Sequence, residues 1–137
     1  MRVLFDTNVL LDVLLNRNPW VTESSAVWQA NDEGQIVGHI TACAIADIFY
    51  IARRLTALET ARAAVRICLE AFEVCAVDLQ ALEQAETLPG SDFEDNLQIA
   101  CASLAGLDVI LTRDKKGFKA AAMPVLTPGE LLMRLKR

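Results

Sequence analysis

The stretch Arg2-Val3-Leu4-Phe5-Asp6 decides the fold class, because it is a short apolar run that ends abruptly at a carboxylate. A continuous apolar run is typical of a strand that is buried on both faces of a sheet. Four further strand-like runs alternate with helical segments farther along the chain: 35–40, 73–77, 108–111 and 124–126. This alternation predicts a three-layer α/β/α architecture, in which helices cover both faces of a central, mainly parallel sheet.

Three sequences of the capping-box type mark helix starts, because a Ser or Thr is followed three residues later by Glu. They are Thr56–Glu59, Ser91–Glu94 and Thr127–Glu130. Pro128 falls on the first helical position, which proline favours. The predicted order is therefore β-α-α-β-α-α-β-α-α-β-loop-β-α. The length of 137 residues predicts a single domain over residues 1–137.

The composition excludes several classes of protein. An apolar fraction of 53% excludes a mainly disordered chain. The 13 Lys and Arg residues against 18 Asp and Glu residues give a formal net charge of −5. This charge argues against sequence-independent duplex binding through a broad basic face. It is compatible with a nucleic-acid enzyme, because bound metal cations can invert the local field.

Neither a transmembrane helix nor a signal peptide is predicted, because no apolar stretch is long enough and Asp6 and Asp12 interrupt the first segment. We therefore expect a cytoplasmic protein that makes no membrane contact. In that compartment the four cysteines should be thiols that pack as small hydrophobic residues: Cys43, Cys68, Cys75 and Cys101. The absence of a C-x-x-C pair and the presence of one His argue against zinc.

Acidic residues gather where the predicted strands end. Asp6 and Asp114 follow strands directly, and Asp47 lies in the second turn of the helix after the second strand. Asp92 and Asp95 lie in the first turn of a later helix. Ligands of parallel α/β folds bind beyond the carboxyl ends of the strands. A site with only oxygen ligands favours Mg²⁺ or Mn²⁺, ions that activate water for in-line phosphoryl displacement.

Some of these acids also have ordinary structural interpretations. Asp6 could cap the first helix, Asp92 could interact with a helix dipole, and Asp114 could be a turn residue. Two details favour a site. Asp47 lies on an apolar stripe, where a lone carboxylate is costly without a partner. Asp92 and Asp95 form a like-charge pair on one helix face. The sequence also lacks both nucleotide-binding glycine motifs and an obvious Ser–His pair.

Four segments, in order and over nearly the whole chain, resemble the PIN-domain nucleases. They are LFDTNVLLD at 4–12, DFEDNLQ at 92–98, ILTRDKKGF at 110–118 and VLTPGELL at 125–132. The resemblance implies a PIN fold and a Mg²⁺- or Mn²⁺-dependent endoribonuclease. VapC-like toxins are small members of this family with a similar length. The resemblance therefore also implies a toxin of a type II toxin–antitoxin pair, a small antitoxin partner and a homodimer.

The resemblance also implies roles for the acidic residues. Asp6, Asp95 and Asp114 match the metal-binding and catalytic acids of the family. Asp47 falls where the family usually has Glu, and its shorter arm would bind through water or hold a weaker second ion. Asp92 matches an extra acid of one subgroup.

Several polar and basic residues extend the expected site. Asn8 and Thr112 match residues that support the acids by hydrogen bonding, and Asp12 is expected on the helix surface or orienting a neighbour. The expected phosphate contacts lie in two basic segments, for which a solvated loop is the alternative: Arg53, Arg54, Arg113, Lys115, Lys116 and Lys119.

The early helices hold more apolar residues than one packed face needs, which is a separate indication of a homodimer. These residues are Val9, Leu10, Leu11, Val13, Leu14, Leu15, Trp20, Val21, Val27 and Trp28.

Two other functions remain open on the sequence. A receiver-like phospho-acceptor also places acids and a Lys at strand ends, but it needs paired acids after the first strand, where Thr7 and Asn8 stand. A catalytically weakened PIN domain that acts as an RNA- or protein-binding module is kept open by the Asp at position 47.

Overall fold

A computed structural model describes residues 1–136 of the chain, and these residues form five strands, seven α-helices and one 3-10 helix. The strands are β1 (Arg2–Phe5), β2 (Val37–Thr41), β3 (Glu73–Cys75), β4 (Val109–Leu111) and β5 (Val125–Leu126). The helices are α1 (Thr7–Leu14), α2 (Val21–Asp32), α3 (Ala42–Leu55), α4 (Leu58–Ala71), α5 (Leu79–Thr87), α6 (Phe93–Leu104) and α7 (Pro128–Leu135), with the 3-10 helix at Lys115–Phe118. The element order predicted from the sequence is confirmed.

The sheet has the strand order β3-β2-β1-β4-β5, and every neighbouring pair is parallel. Strands β1 to β3 extend to one side and β4 and β5 to the other, so the direction reverses between β1 and β4. Such a reversal opens a crevice beyond the carboxyl ends of the two strands, where α/β proteins bind ligands. Asp6 directly follows β1 at this crevice, and its backbone N–H donates to the Leu111 carbonyl at 2.9 Å.

Two apolar cores flank the sheet, because successive side chains of a strand point to opposite faces. Val3 and Phe5 belong to the core under α1, α2, α3, α4 and α7. Leu4 and Ile110 belong to the core under α5 and α6. Phe5 also packs on Phe72, with ring centroids 4.9 Å apart. The three-layer α/β/α architecture is therefore confirmed.

One of the three predicted capping boxes is confirmed. Thr127 and Glu130 exchange both hydrogen bonds at the start of α7, at 3.0 and 3.2 Å. The box at Thr56 is wrong, because its hydroxyl donates to Ala52 O at the end of α3. The box at Ser91 is wrong by one residue. Asp92 caps α6 instead, accepting from the backbone N–H of Asp95 at 3.1 Å.

All four cysteines are free, and only Cys43 is not fully buried. Within residues 1–136, none of the helices is long and apolar enough to cross a membrane. Most of the apolar side chains of the early helices pack into the chain's own core, among them Val9, Leu10 and Val27. Trp20 is the exception, with 43% of its surface exposed. The apolar residues of the early helices are therefore mostly accounted for by packing within one chain, and their number alone does not indicate a dimer.

Candidate active site

A cleft of about 560 Å³ opens at the reversal between β1 and β4. Its lining residues are Asp6, Thr7, Asn8, Asp47, Ile51, Arg54, Asp92, Glu94, Asp95, Asp114, Gly117 and Phe118. The structure thus brings together all five acids that were singled out from the sequence and adds a sixth, Glu94. Among the cleft-lining residues within 1–136, Arg54 is the only cation. The cleft therefore carries a large excess of negative charge.

Asp6 lies at the centre of the cleft and is held by two buried polar side chains. The amide nitrogen of Gln98 donates to Asp6 Oδ1 at 2.9 Å, and the Thr112 hydroxyl donates to Asp6 Oδ2 at 2.8 Å. Thr112 is fully buried, and Gln98 is 2% exposed. These two hydrogen bonds engage both carboxylate oxygens of Asp6 and fix the orientation of its side chain. The supporting role expected of Thr112 thus has a matching contact, whereas Gln98 was missed.

The first turn of α6 presents Asp95 to the cleft. Gly117 lies directly against this side chain, since a Cβ added at Gly117 would collide with Asp95 Oδ2. Burial, followed by the charges of Asp92, Asp6 and Asp114, raises the pKa of Asp95 to about 6. A carboxylate held so close to three others gains from any cation that enters the cleft.

Glu94 and Asp47 form the other wall of the cleft. A side-chain hydrogen bond with Asp47, followed by burial and by the charges of Asp47, Asp6 and Asp92, raises the pKa of Glu94 to about 8. The partner that an acid on the α3 stripe requires is therefore another carboxyl group. The stripe itself is less buried than its apolar residues suggest, because Tyr50 is 66% exposed.

Glu94 was not predicted as a site residue, because the capping-box pattern Ser91–Glu94 assigns its side chain to the helix start. Asp is as good a helix cap as Ser. With Asp92 as the cap, Glu94 is the second residue of α6 instead of the third. Its side chain lines the cleft and does not reach back to the cap. Gln98 also carried a signal, since it and Asn96 are amides among the otherwise apolar buried residues of α6.

Asp114 follows β4 and caps the 3-10 helix, because its Oδ1 accepts from the backbone N–H of Lys116 at 3.1 Å. The Asp114 backbone is also tied to the Thr112 hydroxyl, at 3.2 Å. Asn8 lines the cleft, but within residues 1–136 its side chain makes no hydrogen bond to the acids. The support expected of Asn8 therefore has no matching contact.

Asp12 and the basic residues differ most from expectation. Asp12 is fully buried rather than on the helix surface, and it pairs with Arg17 and Arg113. Lys115 pairs with Glu130 of α7. Of the expected phosphate contacts, Arg54 lines the acidic cleft itself.

Two of the expected phosphate contacts lie beside the cleft. Lys116 and Lys119 line a neighbouring groove, which shares Gly117 with the acidic cleft. Arg53 is exposed at the end of α3, next to Arg54.

The donor chemistry of the cleft fits a hard divalent cation, because carboxylate and hydroxyl oxygens are the ligands that Mg²⁺ and Mn²⁺ prefer. Thr7 Oγ1 is buried in the lining, and it has no hydrogen-bond partner among residues 1–136. In the same range, no group of three or more His, Cys, Asp or Glu side chains is arranged to hold an ion as it stands. Like-charged carboxylates repel one another, so the cluster of Asp6, Asp95 and Asp114 is not preformed.

The sequence profile of the PIN domain matches residues 2–116, which include every acid of the cleft. The chain belongs to the PIN-domain family. Nucleases of this family generally use divalent metals. No curated protein is significantly similar to the chain in sequence.

Solved structures show the same PIN fold. VapC20 of Mycobacterium tuberculosis, a sarcin–ricin loop cleaving toxin, is 16% identical with a TM-score of 0.71, over 86% of this chain and 94% of that chain. DNA-bound VapBC of Salmonella typhimurium is 18% identical with a TM-score of 0.71, over 93% and 98%. A toxin–antitoxin complex of Klebsiella pneumoniae is 22% identical with a TM-score of 0.66, over 92% and 97%.

Proposed function

We propose that residues 1–137 form one PIN domain that hydrolyses RNA phosphodiester bonds as a Mg²⁺- or Mn²⁺-dependent endoribonuclease. The observation that carries this proposal is the concentration of six carboxylates and one arginine in one cleft at the reversal of the sheet. RNA phosphates are themselves anionic, so such a cleft needs divalent cations before it can accept them.

In the proposed site Asp6, Asp95 and Asp114 would hold the principal cation, and Asp47 and Asp92 would add charge beside it. When bound, the cation supplies an activated water and stabilises the charge that develops on the phosphate. Gln98 and Thr112 fix the orientation of Asp6 through their two hydrogen bonds. Glu94, which lines the cleft with Asp47, would add a sixth carboxyl group to the site.

Lys116 and Lys119 are the phosphate contacts that the structure supports best, because they flank the cleft and make no ion pair within residues 1–136. Arg54 would approach the RNA from the α3 wall of the cleft. Lys115 and Arg113 are already paired with Glu130 and Asp12, so they are poorer candidates.

The toxin of a type II toxin–antitoxin pair is the biological role that we propose for this nuclease. The support is the fold shared with the VapBC and Klebsiella pneumoniae toxin–antitoxin structures. A small antitoxin partner, a homodimer and a cytoplasmic location, where RNA substrates occur, belong to the same proposal. Co-expression with the product of a neighbouring short reading frame and sedimentation of the purified chain would test the first two.

A catalytically weakened PIN domain that binds RNA or protein is the second candidate, because Asp47 replaces the usual Glu and pairs with Glu94. The receiver-like alternative is wrong, because the chain belongs to the PIN family and its sheet order differs from the 2-1-3-4-5 order of receiver domains.

The deciding experiment is cleavage of a fluorogenic RNA by the purified chain with Mg²⁺ or Mn²⁺. We expect cleavage by the natural protein and by Asp32→Asn, a matched charge loss on the exposed end of α2. Asp6→Asn should abolish cleavage. RNA binding without cleavage by the natural protein would instead favour the binding module.

A further inference from the structure

Asp12 is the most completely compensated acid in the described chain. It is fully buried, and burial of a carboxylate is costly unless the charge is paired and hydrogen-bonded. Arg17 Nε donates to Asp12 Oδ1 at 2.9 Å, and Arg113 Nε donates to Asp12 Oδ2 at 2.8 Å. Two guanidinium groups thus share one carboxylate, and they come from opposite ends of the sequence.

Arg113 is also covered on its flat face. Its Cζ lies 4.0 Å from the ring centroid of Trp20, a cation–π geometry. Its second nitrogen, Nη2, approaches Asp12 Oδ1 at 3.4 Å. Because the fork binds Asp12 and the face packs on Trp20, this side chain is locked in place. The same contacts direct the Nε–Nη2 edge of the fork to Asp12 rather than to an RNA phosphate.

The position of Arg113 in the chain gives this lock a consequence for the site. It stands between Thr112, whose hydroxyl holds Asp6, and Asp114, which lines the cleft. Only residues 112–114 connect the end of β4 to the 3-10 helix. A side chain anchored on α1 therefore restricts the backbone that carries a cleft residue on one side and the hydrogen-bond partner of Asp6 on the other.

We infer that the Asp12–Arg113 ion pair positions the 112–114 segment, and through it Asp114 and Thr112, for the divalent-cation site of the cleft. This inference rests on the proposed function for its link to cleavage. It makes Asp12 and Arg113 positioning residues, which act through their neighbours and touch neither substrate nor cation. Partners of this kind orient metal-binding side chains in many metal sites.

Because two arginines pair with Asp12, the loss of Arg17 is a matched control for the loss of Arg113. Arg113→Gln and Arg17→Gln each remove one guanidinium and leave the other on Asp12, so both should fold with similar losses of thermal stability. Only Arg113→Gln should speed amide hydrogen exchange at Asp114 and Lys116. Only that variant should weaken Mn²⁺ binding, measured by electron paramagnetic resonance, by about 10-fold to 100-fold.

Arg113→Lys separates positioning from phosphate contact. Lys keeps the charge but loses the planar fork and the stacking face, so a positioning role predicts weaker Mn²⁺ binding and a lower kcat at an unchanged KM for RNA. A phosphate contact predicts unchanged Mn²⁺ binding and kcat for Arg113→Lys, and for Arg113→Gln it predicts a raised KM with no change in Mn²⁺ binding.

Equal exchange rates at Asp114 and Lys116 in the Arg113→Gln and Arg17→Gln proteins would overturn the inference. This readout needs neither RNA nor metal. A natural protein that cleaves no RNA would count against the proposed function alone, and the amide exchange of the two variants would still decide the role of the pair.

Discussion

Two acidic regions of the molecule differ in whether nearby cations compensate their negative charge. Asp12 is buried beneath two arginines, and both of its oxygens are engaged. The cleft beside it collects six carboxylates around Arg54. Local charge compensation is what a structural carboxylate needs. Uncompensated charge at a sheet reversal is stable only with protons or cations, which is the property expected of a metal-dependent site.

Asp95→Asn should share the largest effect with Asp6→Asn, because each removes an acid of the proposed cation site. We expect cleavage to fall by more than about 100-fold, which exceeds the usual loss from a residue beyond the ligands. The thermal midpoint of the metal-free protein should rise, because burial and three nearby acids make the Asp95 charge unfavourable. Asp32→Asn, assayed in parallel, should change neither quantity. A parallel fall in stability and cleavage would assign Asp95 to the structural class with Asp12.

Asp47 and Glu94 should produce effects of about tenfold in cleavage, at the lower end of losses from residues that support a metal site. Asp47→Glu should retain or raise activity, because the longer arm restores the reach that the family usually has. Asp47→Asn should fold normally, and it should weaken metal binding and cleavage together. Glu94→Gln should weaken both as well. Equal cleavage rates for all of these proteins at fixed Mn²⁺ would show that neither Asp47 nor Glu94 belongs to the site.

Loss of Lys116 and Lys119 should have a smaller effect, confined to RNA binding. The double variant to Ser should raise KM and leave kcat unchanged. The slope of log KM against log salt should fall by about 1.4, since each phosphate contact on a single strand contributes about 0.7. Arg62→Ser with Arg66→Ser, on exposed positions of α4, is the matched loss of two cations. Identical slopes for both double variants would assign the lysines to a solvated loop.

The pH dependence of stability should show the smallest change, and its sign follows from the raised pKa values of Glu94 and Asp95 in the cleft. The pKa of Glu94 is raised from 4.5 to about 8, and that of Asp95 from 3.8 to about 6. Between the unfolded and folded values the native protein binds more protons, so stability falls as pH rises. The thermal midpoint of metal-free protein should therefore decrease from about pH 4 to 8. Saturating Mn²⁺ or Glu94→Gln should flatten this decrease, whereas a rising midpoint would contradict the account.

The fold was predictable because its signals are local. Apolar runs such as Val3–Phe5 and the box at Thr127 fix strands and helix starts without knowledge of tertiary contacts. Parallel pairing then places Asp6 and Asp114 at one edge. The five acids identified from the sequence lie in one cleft for this reason.

The remaining features depend on contacts that form only in the folded chain. Ser91 and Asp92 compete to cap α6, and the outcome decides whether Glu94 faces the cleft. Asp12 and Arg113 are 101 positions apart, so no local pattern reveals that they form an ion pair. The same holds for the 92 positions between Gln98 and Asp6.

The location of Mn²⁺ in crystals of the protein decides whether the acidic cleft is a divalent-cation site. Anomalous scattering from crystals soaked in Mn²⁺ should show a peak in the cleft among Asp6, Asp95 and Asp114, and no peak beside the compensated Asp12. The peak should disappear in crystals of Asp95→Asn soaked in the same way. Anomalous density elsewhere, with none among these three acids, would contradict the assignment of the cleft as a divalent-cation site.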